Sequence, residues 1–170
     1  QFCTELLQHL QVHQPLIVSG LAYGIDICAH KESLKNNLQT VGVLAHGLDD
    51  LYPGQHRSTA DKMLEQGGLL SDYISETNPD KENFPKRNRI VAGMCDAVIV
   101  VEAGITGGAL ITAEIANSYS RDVFALPGRI GDPFSAGCNK LIKINKAALI
   151  ESYADISYLL GWQQEEVKAA

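Results

Sequence analysis

Short β-branched runs, separated by longer segments of helical apolar spacing, leave this chain few architectures besides a parallel sheet covered by helices. The runs fall at Leu16–Ser19, Thr40–Leu44, Ala97–Val101 and Val123–Leu126, with weaker ones at Leu69–Ser71 and Ala148–Ile150. Between them, Phe2, Leu6, Leu7 and Leu10 share one helical face, as do Ile25, Cys28, Ala29 and Ser33. Met63, Leu64 and Gly67 are expected to close a third helix, and Leu110, Ile111, Ile115 and Tyr119 mark a fourth. Ala97–Val101 has no polar alternation, the mark of a strand buried on both faces near the centre of its sheet.

The expected fold is therefore α/β, a Rossmann-like three-layer sandwich with a mostly parallel sheet. In such sheets ligands bind just beyond the carboxyl ends of the strands, so the residues after each strand carry the functional information. One domain is expected over residues 1–160, with 161–170 as a tail or linker. The chain opens in a helix, Gln1 to about His13, where a doubly wound domain usually opens with a strand. A first strand is expected to be missing.

Bulk properties exclude several classes. No apolar run reaches the length of a membrane span, and no basic-then-apolar leader opens the chain. Cys3, Cys28, Cys95 and Cys138 form no CxxC pair, so neither a zinc nor a redox motif is present, and they read as reduced, structural thiols of a cytoplasmic protein. The formal net charge of −6 argues against a broad basic face for duplex DNA. A local cationic pocket inside an acidic protein still binds phosphate.

Four post-strand segments hold the candidates. Ser19-Gly20-Leu21-Ala22-Tyr23-Gly24 runs into a helix, where bare amides can meet an anion. It matches neither the dinucleotide fingerprint nor a Walker loop, and two glycines at a turn are also ordinary structure. Asp26 reads as a helix cap, and His30 as a packed histidine. Glu102-Ala103-Gly104-Ile105-Thr106-Gly107-Gly108 repeats the arrangement after the central strand, with Glu102 expected to brace the loop by hydrogen-bonding its amides. Lys81 to Arg89 concentrates Lys81, Lys86, Arg87 and Arg89 beside Phe84 and Asn88. This cluster reads as a solvated charged turn, as Arg87 and Arg89 paired with Asp or Glu, or as a phosphate clamp with Phe84 free to stack on a base. Leu126-Pro127-Gly128-Arg129 and Ser135–Ile142 bring Asn139 and Lys140 to the same sheet edge, though turn chemistry alone explains their glycines and prolines.

These strings resemble the DNA-processing protein A family (DprA, also called Smf). The resemblance rests on SGLAYGID with Ala29-His30, HGLDDLYP at 46–53, FPKRNRIVAG at 84–93, VVEAGITGGALITAEIA at 100–116 and LPGRIGDPFSAGCNKLI at 126–142, covering residues 14 to 160. It implies an extended Rossmann fold that binds single-stranded DNA and loads the recombinase RecA in natural transformation and recombination. It further implies a homodimer without catalysis, cofactor or metal. Carried over by motif, the DNA site comprises Lys81, Phe84, Arg87, Asn88 and Arg89, with Ser19, Gly20, Thr106, Gly107 and Gly108, and Asn139 at its margin. The chain departs from the family in three places: the first strand with its Gly-x-Arg turn, GITGGALIT where a serine-rich loop is usual, and Asn145-Lys146-Ala147 where a Gly-Ala pair is usual. The competing reading is a nucleotide-processing enzyme of the related phosphoribohydrolase-like Rossmann group, with Glu114 as its candidate acid or base.

Overall fold

In the computed structural model, which describes residues 1–162, strands and helices alternate along almost the whole chain. Helix α1 (Phe2–Leu10) passes through a short 3-10 turn into β1 (Ile17–Ser19), followed by α2 (Ile25–Lys35) and β2 (Thr40–Val43). Next come α3 (Arg57–Glu65), β3 (Gly67–Leu70), α4 (Asn83–Met94) and β4 (Ala97–Val100). The chain continues through α5 (Gly108–Ser118), β5 (Asp122–Ala125), α6 (Ala136–Lys143), β6 (Ala148–Leu149) and α7 (Tyr153–Leu159). All six expected strands are present, each displaced from its expected bounds by no more than two residues at either end.

Every strand pairing is parallel, as the βαβ order requires. The strands nevertheless form two three-stranded sheets, β1-β2-β3 and β4-β5-β6. Val18 stands opposite Val41 in the first, and Ile99 opposite Phe124 in the second. The expectation for Ala97–Val101 is corrected here. Only Val100 of β4 is fully buried, because β4 is bonded to β5 alone and its other edge faces a cleft.

The period-2 alternation of β4 and β5 assigns the layers. Val98, Val100, Val123 and Ala125 pack under α4, α5 and α6, with Leu110, Ala113, Ala116, Cys138 and Leu141. Ala97, Ile99 and Phe124 turn the other way, onto a core shared with Leu6, Leu7 and Leu10 of α1, Cys28 and Ala29 of α2 and Ile156 of α7. That second core also takes in Ile17 of β1 and Leu38, so it ties the two sheets together. Trp162 packs onto it, its ring centroid 4.9 Å from that of His13. The remainder of the expected tail, residues 163–170, lies outside the described residues. The four cysteines are free thiols, and burial pushes that of Cys3 up to about 12. No described helix is long and apolar enough to cross a membrane.

A second correction concerns Gly67, which opens β3 and does not close α3. A Cβ there would stand 1.9 Å from the carbonyl oxygen of Thr40, so only glycine lets β3 approach β2 in this register. Leu64, expected on the apolar face, is exposed, while Thr59, Ala60 and Met63 carry the burial of α3. We predict that Gly67→Ala destabilises the fold by about 1–3 kcal/mol through overpacking against backbone. Gly68→Ala, whose Cβ meets nothing within 4 Å, should stay within about 1 kcal/mol of the parent. Urea unfolding of the two variants checks this, and equal midpoints would contradict it.

Candidate nucleic-acid interface

The carboxyl ends of β1 and β4 open onto one cleft, the position at which parallel sheets accept ligands. Ser19, Gly20, Phe84, Arg87, Asn88, Gly107 and Gly108 all line it. Three separate pieces of chain bring them there: the turn after β1, the first two turns of α4, and the loop from β4 into α5.

The turn after β1 is held by Asp26. The Ser19 hydroxyl donates to Asp26 Oδ1 at 2.7 Å, and the other carboxylate oxygen accepts from the Ala22 amide at 3.4 Å. Asp26 therefore does not cap α2 as expected. Gly24 occupies the N-cap and Asp26 sits inside the first turn, reaching back to the strand end. A Cβ on Gly20 would meet Asp26 Oδ2 at 2.5 Å and Arg87 Nη2 at 2.9 Å, which is why glycine stands where these charges converge. His30 is buried, its Nε2 2.6 Å from the Gly20 carbonyl and its Nδ1 2.7 Å from the Thr40 hydroxyl. Its role is packing and bracing, as the sequence suggested.

Arg87 is only 6 % exposed. Its guanidinium donates to the Val43 carbonyl at the end of β2, its Nε donates to Asn88 Oδ1 at 3.1 Å, and its Cζ lies 5.9 Å from the Phe84 ring centroid. Burial pulls its pKa below the usual arginine value, and the Asp26 carboxylate opposes that shift. The side chain is committed to protein partners. It places Phe84 and Asn88 and lends buried positive charge to the turn beneath Gly20. Asn88 in turn donates to the Gly108 carbonyl at 3.4 Å, fastening α4 to the start of α5.

At that start Gly107 is the N-cap and no side chain caps the helix. The Gly108 and Ala109 amides have no intrahelical acceptor and face the cleft with the positive end of the helix dipole. Glu102 makes no bracing hydrogen bond among the described residues, contrary to expectation. Backbone does that work: the Ala103 amide donates to the Phe134 carbonyl, and the Gly137 amide to the Ala103 carbonyl, both at 2.8 Å.

Lys81, Arg89, Thr106 and Asn139 are not brought into this lining. Lys81 is exposed, two residues before α4, and Thr106 is exposed on the outer rim of the loop. Arg89 points to an ion pair with Asp72. Asn139 closes on Gly128, donating to its carbonyl at 3.0 Å and accepting from its amide at 3.1 Å. Glu114 is exposed on α5 and absent from the cleft lining.

An aromatic cup escaped the sequence reading. Tyr23, Tyr52 and Phe84 rim a cavity of about 230 Å³ beside Arg87, with Leu44 and His46 at its base. Tyr52 and Phe84 meet edge-on at 6.3 Å, and Tyr23 meets His56 edge-on at 4.9 Å. Tyr23 is 60 % and Tyr52 48 % exposed, so both rings are accessible at the mouth of this cavity. The available signal was two tyrosines set in loops that follow strands, one before Gly24 and one before Pro53.

Comparison with known proteins places this geometry. The model of a family described as DNA recombination-mediator protein A matches residues 1–161. The chain belongs to that family. It is 48% identical over 128 residues to protein Smf of Escherichia coli, covering 75% of this chain and 34% of that protein. It is 43% identical over 152 residues to DNA processing protein DprA of Streptococcus pneumoniae, covering 89% of this chain and 53% of the relative. The chain thus spans between about a third and about half the length of these relatives. The crystal structure of the pneumococcal protein superposes with a TM-score of 0.84 at 41% identity, covering 92% of this chain and 55% of that one. A DNA processing protein A from Helicobacter pylori, solved for its single-stranded DNA binding mode, gives a TM-score of 0.85 at 30% identity, over 95% of this chain and 74% of that one. Both likenesses bear out the α/β, Rossmann-like expectation.

The site carries a pH prediction. Burial lowers the pKa of His30 below 6.5, so the unfolded chain binds this proton more readily than the folded one. Stability from neutral His30 is present above about pH 6.5 and lost as pH falls toward the lower folded pKa. Urea midpoints measured from pH 7.5 down to 5 should drop for the parent, and His30→Gln should flatten that part of the profile.

Proposed function

We propose that the domain binds single-stranded DNA across the joint cleft of β1, β4 and α4, with the phosphates on the Ser19–Gly20 turn and the start of α5. The supporting observation is the meeting of uncapped helix amides and the Phe84 and Tyr23 rings in one cleft of an acidic protein, with the exposed Lys81 and Lys86 on the segment that carries Phe84. Charge held at one place steers a polyanion, whereas the net charge of −6 disfavours a broad duplex-binding face. Phe84, with Tyr52 and Tyr23 beside it, supplies a stacking platform that tolerates any base. Lys81 and Lys86, both exposed and without ion pairs among the described residues, are the cations we assign to the backbone of the strand.

Membership of a recombination-mediator family supports a further step, delivery of the bound strand to the recombinase RecA in transformation and recombination. A homodimer acting in the cytoplasm fits that role. We favour binding over hydrolysis of nucleotides, since the Glu114 carboxylate does not line the cleft.

The test is fluorescence anisotropy with labelled oligo-dT over a salt series. Phe84→Ala should weaken binding about tenfold or more, because one stacked base is worth about 1–3 kcal/mol. Lys81→Ala and Lys86→Ala should each reduce affinity alike for all sequences and shallow the salt slope by about 0.7. Lys143→Ala, at an exposed position of α6, should change nothing. Parent-like binding by all three site variants would refute the assignment, and release of adenine from AMP would favour the hydrolytic reading.

A further inference from the structure

The segment from Leu126 to Ser135 leaves the carboxyl end of β5, which lies in register beside β4. It therefore emerges at the same end of the sheet as the loop into α5, where ligands of parallel sheets bind. Hydrogen bonds brace it along its length. The Leu126 amide donates to the Val100 carbonyl at 3.0 Å, Asn139 closes on both backbone groups of Gly128, and the Asp132 amide donates to the Arg129 carbonyl at 3.1 Å. The Asp132 carboxylate accepts from the Phe134 amide at 3.0 Å and from the Ser135 hydroxyl at 2.7 Å. The Phe134 carbonyl accepts from the Ala103 amide at 2.8 Å, so both backbone groups of Phe134 are tied.

This bracing holds an aromatic ring out of the fold. Phe134 is 68 % exposed and belongs to none of the three apolar cores, yet it lines the cleft together with Gly104, Gly107 and Gly108. One exposed apolar side chain needs no explanation by itself. Here the backbone is fixed, the ring forms part of a cleft wall, and a cation stands in the same loop. Arg129 is exposed and makes no ion pair among the described residues, whereas the Asp132 carboxylate is engaged by donors of its own loop. The exposed isoleucines nearby in sequence, Ile105 and Ile130, lie outside the cleft lining, so what the loop presents to the cleft is the aromatic.

The loop thus repeats the pairing of Lys81 with Phe84. Phe84 reaches the cleft from α4, beside the ends of β1 and β2, and Phe134 reaches it from the loop after β5. The two rings stand on opposite flanks of the loop that joins β4 to α5. An exposed ring stacks on any base, and a planar guanidinium meets phosphate oxygens with paired N–H groups. We propose that Phe134 and Arg129 form a second nucleotide subsite, in which Phe134 stacks a base and Arg129 holds a neighbouring phosphate of a strand that also occupies the Phe84 subsite. The strand then crosses the start of α5 and must be long enough to reach both rings. This subsite rests on the DNA-binding reading and gives it a direction across the cleft.

Fluorescence anisotropy with labelled oligo-dT of about 4 and about 16 nucleotides tests the proposal, with Phe84→Ala measured beside the new variants. On the longer strand Phe134→Ala should weaken binding about tenfold, and Phe134→Leu equally, because leucine has bulk without a π face. Phe134→Tyr should bind like the parent. On the shorter strand, which the Phe84 subsite holds alone, the loss should disappear. Arg129→Ala should shallow the salt slope of the longer strand by about 0.7, and Arg129→Lys should restore it. Parent-like behaviour of Phe134→Ala or of Arg129→Ala on the longer strand overturns the second subsite. If Phe84→Ala still weakens binding, the DNA reading survives that result, which is the one expected should this rim meet a protein instead. Equal loss at both lengths also overturns the subsite, since a distorted loop weakens short and long strands alike. Absence of oligo-dT binding by the parent overturns both readings.

Discussion

The buried guanidinium of Arg87 is the point on which the geometry of the site turns. It hangs from α4, the helix that carries the chain from the first sheet to the second, and it reaches the end of β2 through the Val43 carbonyl. On its own helix it orients Asn88, whose amide is tied to the first carbonyl of α5. One charge thus fixes both sheets relative to the helix that serves them. A buried cation with a single removable partner is costly to disturb, because what remains is an uncompensated charge in a poor dielectric. Asp26 and the backbone carbonyl supply the compensation, and Gly20 supplies the room.

That arrangement divides labour among the four cations that cluster in the sequence. Arg87 is spent on architecture, and Arg89 is held by Asp72. Lys81 and Lys86 remain in solvent, where a compact ammonium on a flexible stem can follow an irregular backbone. The same nine residues therefore build the wall of the cleft and arm its rim. The uncapped start of α5 is complementary to this: its donors are rigid, and the lysines are mobile.

Much of this was legible in the chain. Ala97–Val100 announced a strand by β-branching alone, and the glycines at 20 and 107 announced turns at which backbone is exposed. Periodicity failed where a long-range contact decided the matter. Nothing local to Gly67 reveals that the Thr40 carbonyl lies where its Cβ would be, so the residue passed for a helix ending. Nor does a run of valines report whether both its edges are paired, and β4 was taken for a fully enclosed strand. The side-chain roles divided similarly. Residues whose partners lie close in sequence, such as Arg87 and Asn88, could be grouped; the Asp26 contact to the end of β1 and the closure of Asn139 on Gly128 depend on how the loops fold back. The aromatic cup joins two loops and the start of α4, more than 25 residues apart from one another, and no window of sequence contains it.

The position of Trp162 has a practical consequence. It is the only tryptophan in the chain, and its indole packs on the core that includes α1, against His13, in the wall of the cleft. Whatever enters that space changes the polarity and packing felt by a single intrinsic fluorophore. The domain carries its own optical gauge of whether that cleft is filled.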